Sequence, residues 1–140
     1  MKMHNPPGIA GPFATYSHGI ELAETHRFLF GAGQAGVAPD GTIGRGIEEQ
    51  ARYVWDNIVE VLDSASMGVT DIIQLNMLLT DRIDYPPAAA IRESVLDGHR
   101  PASTLMYVSG LANPEWRIEI DFIAARPVGS HRVDPSDGDG

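Results

Sequence analysis

The 140-residue chain contains no cysteine. Disulfides, thiolate nucleophiles and cysteine-bound zinc are thereby excluded, and the chain lacks the cross-links that hold many small secreted domains together. Basic residues are also scarce: 10 Lys and Arg stand against 19 Asp and Glu, a formal net charge of -9. Phosphate backbones are held by Lys and Arg, so nucleic acid is not an expected partner. No run approaches the roughly 18 apolar residues of a membrane span. The opening stretch Met1-Lys2-Met3-His4-Asn5-Pro6-Pro7 has no apolar signal core. A cytoplasmic protein without a membrane partner is expected. His4, His18, His26, His99 and His131 include no pair at ligand spacing on a common helix, so neither a metal nor another cofactor is expected. Ser17, Ser94, Ser103 and Ser109 stand in no nucleophile-elbow context.

What remains is enough for one core, since 43% of the residues are hydrophobic. A single domain is expected over 1–127, followed by a polar, Gly- and Asp-rich tail at 128–140 that reads as disordered. Pro6, Pro7, Gly8, Gly11 and Pro12 suggest that 1–16 wraps over the surface. Two short strands follow at 18–23 and 27–33, joined by a turn. Ile47, Ala51, Val54, Trp55, Ile58, Leu62 and Ala65 recur at steps of three and four, which predicts a helix with Gly68 as a left-handed cap. A strand is predicted over 69–80, with Ile73, Leu75, Met77 and Leu79 on one face. Asp84 is placed to cap a second helix carrying Pro86 or Pro87 in its first turn, with Ala88, Ile91 and Val95 facing inward and Gly98 at its end. Strands at 102–108 and 116–125 close the domain.

This order predicts an α+β fold, one sheet with two helices on one face. The strand at 69–80 is apolar on both faces, so the second face of the sheet needs a cover. Self-association into a closed ring would supply it and would place sites at subunit seams.

Gly31-Ala32-Gly33-Gln34-Ala35-Gly36 matches G-x-G-x-x-G, but a dinucleotide site needs a helix directly after the glycines. Val37-Ala38-Pro39-Asp40-Gly41 reads as a turn, which favours a Gly-rich strand end or bulge. Glu119 is the stronger signal. It lies mid-strand between Ile118 and Ile120, a poor place for a solvating carboxylate and a good one for a carboxylate held in a fixed position. The alternative is a structural carboxylate paired with Arg117 or with a basic residue of a neighbouring chain.

Pro12-Phe13, Tyr16-Ser17-His18-Gly19, Gly33-Gln34, Glu49-Gln50-Ala51, Asn57, Pro101-Ala102 and Ile118-Glu119-Ile120-Asp121-Phe122-Ile123-Ala124 together resemble the RidA (YjgF) family of enamine and imine deaminases. The similarity runs in register from about Gly11 to Pro127. It implies a chorismate-mutase-like protomer with a mixed sheet, closing into a homotrimeric barrel with a small-molecule cleft at each seam. It also implies that Glu119 holds the hydrolytic water, and that Tyr16 and Gly33 keep their places in the cleft. Other positions depart from the pattern. Where the active deaminases carry an Arg that clamps the substrate carboxylate, this chain has Ser103. Ala32 replaces the family's strand serine, Ala89 its helix asparagine and Leu105 its frequent thiol.

The missing Arg argues against ordinary activity on carboxylated enamines. Arg100 lies at an odd offset from Ser103, on the opposite face of any extended strand. Arg117 shares a face with Glu119 and is the better candidate for a ligand-binding cation. Two readings follow: a trimer that hydrolyses an imine-like carbon-nitrogen bond with Glu119 as base, or a non-catalytic binding or regulatory trimer. Ribonuclease-like activity is a third, opposed by the acidic charge.

Overall fold

The computed structural model describes residues 1–129. The expected tail therefore lies, from residue 130 onward, outside the described residues. Eight elements are laid out in chain order: β1 (Lys2–His4), β2 (Gly19–Glu21), β3 (His26–Ala35), α1 (Gly46–Ser64), β4 (Ile72–Leu79), α2 (Tyr85–Leu96), β5 (Ala102–Tyr107) and β6 (Ile118–Pro127). Short 3-10 turns at Val69–Asp71 and Arg82–Asp84 lead into β4 and α2.

Four strands form one mixed sheet in the order β3-β6-β4-β5. β6 runs antiparallel to both β3 and β4, whereas β4 and β5 are parallel and joined through α2. The helices lie on one face, as the sequence predicts. Between helices and sheet sit Trp55, Ile58, Leu75, Met77, Ile120 and Phe122, each at most 2% exposed. Burying such side chains supplies about 1.5–3 kcal/mol each, the main term holding the layers together.

The pattern of α1 is that of its sequence: Ala51, Val54, Trp55, Ile58 and Leu62 are buried at helical spacing. Gln50 is buried with them and fully engaged. Its Nε2 donates to the Gly44 and Glu115 carbonyls at 3.1 and 3.0 Å, and its Oε1 accepts from the Arg117 backbone N–H at 2.8 Å. One amide thus ties the loops before α1 and before β6 to the core.

Several expectations are corrected. The first expected strand, here β2, pairs with β1 in a separate two-stranded sheet, so part of 1–16 is ordered strand. In β4 the register slips between Ile72 and Gln74. Ile72 therefore joins Leu75, Met77 and Leu79 in the core, in place of Ile73. After α1 the left-handed residue is Ser66 (φ 55°), and Gly68 is extended at φ -130°. Asp84 precedes α2 without a capping hydrogen bond, and the left-handed residue ending that helix is Asp97, followed by Gly98 with φ 89°.

Candidate functional site

Glu119 is the second residue of β6. Strand alternation buries Ile118 and Ile120 beneath the helices and turns Glu119 to the sheet face that no helix covers. Its cross-strand neighbours are Ala35 on β3 and Leu78 on β4. The carboxylate lies over the backbone of Gly33, where a Cβ would fall 2.6 Å from Oε1 and 2.8 Å from Cδ. Any side chain here would press on the carboxylate. Two residues on, Asp121 accepts from Asn76 Nδ2 at 2.9 Å. The Glu119 carboxylate, by contrast, has no hydrogen-bond or ion-pair partner among the described residues.

Ala32 and Gly33 stand beside it because β3 is irregular there. The β3-β6 register slips between Gly31 and Gln34, so the Gly-rich run is a bulge in a strand rather than the entry to a helix. Gly31 is fixed by the same packing: a Cβ there would sit 2.1 Å from the Phe122 ring.

Ser103 and Leu105 lie on the other side of the sheet. They pair with Leu75 and Met77, which face the helices, and Leu105 packs against the core. Tyr16 is held at the same edge by its neighbours. Ser17 N–H donates to the Pro101 carbonyl at 3.0 Å and Ser17 Oγ to the Arg100 carbonyl at 2.6 Å. Thr15 Oγ1 donates to Glu93 Oε1 on α2 at 2.7 Å. The Tyr16 ring meets Phe13 and His18 edge-on at 5.5 and 5.6 Å.

The candidate residues therefore fall into two groups. Glu119, Gly33 and Ala32 share the uncovered face, while Tyr16, Ser103 and Leu105 belong to the helix side and the β5 edge. The single chain does not bring them together.

Arg117 belongs to neither group. It precedes the first residue of β6, and its Nε and Nη2 donate to Asp84 Oδ2 and Oδ1 at 2.9 and 2.5 Å. Asp84 is 1% exposed, so this guanidinium is occupied in neutralising a buried carboxylate. The alternative pairing of Glu119 with Arg117 does not form.

One residue went unread in the sequence. Arg92, on the inward face of α2, is only 4% exposed. Its place at four-residue steps from Ala88 and Leu96 was the available signal.

The uncovered face is largely apolar. Phe28, Phe30 and Met106 are 53%, 75% and 44% exposed. Among the described residues no group of three His, Asp or Glu side chains converges on a metal position. No described helix is long and apolar enough to cross a membrane.

Known proteins are similar to this chain in sequence and fold. TdcF of Escherichia coli strain K12 is 29% identical over 130 residues, which span 90% of this chain and 95% of TdcF. The human 2-iminobutanoate/2-iminopropanoate deaminase is 28% identical over 120 residues, 84% of this chain and 82% of that protein. The crystal structure of E. coli TdcF with bound serine superposes with a TM-score of 0.67 at 28% identity, covering 87% and 94% of the two chains. YyfB of Yersinia pestis, described as a Rid-family protein of unknown function, reaches a TM-score of 0.76 at 26% identity over 89% and 98% of the chains. Residues 8–126 match the family described as Endoribonuclease L-PSP, and the chain belongs to that family, the RidA (YjgF) proteins.

Proposed function

We propose that the chain works as a closed homotrimer that hydrolyses small imines or enamines at its subunit seams. Each seam would join the Glu119 face of one copy to the Tyr16 and Ser103 edge of the next. The observation that carries this reading is the Glu119 carboxylate: half-buried, seated on Gly33, and without a partner among the described residues. A half-buried carboxylate kept unpaired, beside an Asp121 already bonded to Asn76, is available to water and to a ligand.

The reaction balances with water alone. Glu119 takes a proton from water as the water oxygen bonds to the imine carbon and the carbon-nitrogen π pair moves to nitrogen, and it passes that proton to the nitrogen. The carbinolamine then collapses: Glu119 takes the hydroxyl proton as the carbon-oxygen double bond forms, the carbon-nitrogen bond breaks, and that proton goes to the departing nitrogen, which leaves as ammonia. The Gly33 main chain polarises the reacting group, and the Tyr16 hydroxyl hydrogen-bonds the ligand from the opposite wall. Ala32, Ser103 and Leu105 shape the pocket. Ser103 at the position of the deaminases' Arg places the chain in an Arg-lacking subgroup. The serine in TdcF and the name of the human relative support a ligand of amino-acid size. The cysteine-free composition supports a cytoplasmic setting.

The decisive assay follows ammonia release from a varied panel of imines generated in situ. General acid-base catalysis contributes about 10²–10⁴-fold, so Glu119→Gln should lose at least two orders of magnitude in kcat. Unchanged turnover in that variant removes the catalytic reading. Ser103 and Leu105 bring no acid or base to their side of the seam, which favours a second reading, a binding trimer. That version predicts ligand-induced stabilisation without consumption. The ribonuclease activity in the family description is opposed by Glu119 and Asp121, whose charges face the same open surface and repel phosphate. RNA cleavage retained through purification and abolished by Glu119→Ala would restore it.

A further inference from the structure

Arg92 carries a charge that the fold leaves unused. It is 4% exposed, on the face of α2 that also buries Ala88 and Leu96. Among the described residues its guanidinium has neither a hydrogen bond nor an ion pair, and its Nε is fully enclosed. The terminal nitrogens are equally unpartnered but are not fully enclosed. Arg117 and Arg126, by contrast, are paired with Asp84 and Asp71. Unlike lysine or histidine, a guanidinium does not shed its proton when buried. Such a group is either a burden on the native state or a receptor for an anion.

Its place on α2 favours the second. Thr15 is hydrogen-bonded to Glu93, next to Arg92 on α2, and Ser17 bridges Ala102, next to Ser103 on β5. Tyr16 stands between these anchors. These anchors hold the Tyr16 segment against α2 and β5, the two elements that carry Arg92 and Ser103. Ser103 is small, whereas the next inward residues of β5, Leu105 and Tyr107, fill the core. We infer that Arg92 is the anion receptor of the cleft and that its guanidinium binds the carboxylate of the ligand from the helix side.

Two terminal N–H groups in one plane match the two oxygens of a carboxylate. One cation, in a chain of net charge -9, suits a monoanion better than a phosphate dianion. The inference rests on the seam reading above for the size of the ligand, and on the geometry of Arg92 for its charge.

Calorimetric titration of the full chain with L-serine, pyruvate, ethanolamine and inorganic phosphate tests it. Wild type should bind serine and pyruvate, and should bind ethanolamine, which lacks the carboxylate, no better than background. Arg92→Met keeps the length and removes the charge. It should melt at or above the wild-type temperature, because an uncompensated buried charge has gone. Its carboxylate affinity should fall at least about 30-fold. Arg92→Lys, the conservative variant, should fold as wild type and keep part of the affinity. Equal carboxylate affinity in wild type and in the Met or Lys variants, no carboxylate binding by wild type, or tighter binding of phosphate would each overturn the inference. Turnover of uncharged imines by wild type and Arg92→Met alike, with no carboxylate bound, sinks this inference and spares the seam. Carboxylate binding that depends on Arg92 without any turnover does the reverse.

Discussion

Replacing Gly33 by alanine would drive a methyl group to 2.6 Å from Glu119 Oε1. The strand is irregular there and the side chain is the softer partner, so the carboxylate gives way. Misplacement of a catalytic group by about 1 Å costs on the order of 10²-fold in rate. Gly33→Ala should therefore lose imine turnover steeply while its melting temperature moves little, as parallel kinetics and calorimetry will show. Asp84→Asn is the opposite kind of change. It leaves the Glu119 face alone and breaks the buried pair with Arg117. The side chain of Arg117 is 41% exposed, so water takes over part of the lost contact. A loss of about 2–3 kcal/mol in urea unfolding is expected, below the full cost of breaking an enclosed pair. At this scale Glu119 was legible, because period-2 alternation between isoleucines fixes its face. Arg117 misled for the same reason. The parity was extended one residue beyond the start of β6, where the chain turns toward Asp84. Arg92 was missed, although its four-residue steps from Ala88 and Leu96 place it on the inward face of α2.

The elements themselves are set by periodicity, and the departures sit where one strand adjusts to another. Bulges at Gly31–Gln34 and Ile72–Gln74 insert residues that the partner strand does not match, and no single-strand pattern encodes them. Ile73 was assigned to the core on that account, and Ile72 occupies it. Gly31→Ala tests how closely β3 and β6 interlock. Its methyl would enter the Phe122 ring at 2.1 Å, and displacing a buried aromatic typically costs about 1–3 kcal/mol, readable as a lower denaturation midpoint. The turn between β3 and α1 carries a measurable signature of its own. Hydrogen bonds from the Thr42 side chain and backbone hold Asp40 below its ordinary value of 3.8. The folded state thus favours the ionised form, so this contribution to stability is complete above 3.8 and fades as pH falls through the lower folded value. Thr42→Val should move the Asp40 carboxyl titration upward in an NMR pH series.

For the whole molecule, the apolar second face of the strand at 69–80 already required a cover. The observed sheet, with Phe28, Phe30 and Met106 open, makes the same demand. The sequence could not say which candidate residues share a cleft, because in the proposed ring that depends on contacts between copies rather than within one. Phe30→Asp addresses the proposed ring directly. Phe30 is 75% exposed in the protomer, so the fold should shift by no more than about 0.5 kcal/mol. A carboxylate opposed to its own copies should nevertheless dissociate the assembly in sedimentation velocity and abolish turnover with it. The division of the candidate residues between the two faces has one more consequence. Two dead proteins, Glu119→Gln and a Ser103→Trp that plugs the opposite wall, should rescue one another when co-expressed. With random mixing, about a quarter of the clefts would inherit both intact walls. Mixing the same mutants under conditions that forbid exchange should restore nothing, making genetic complementation a direct reading of where each half of the chemistry resides.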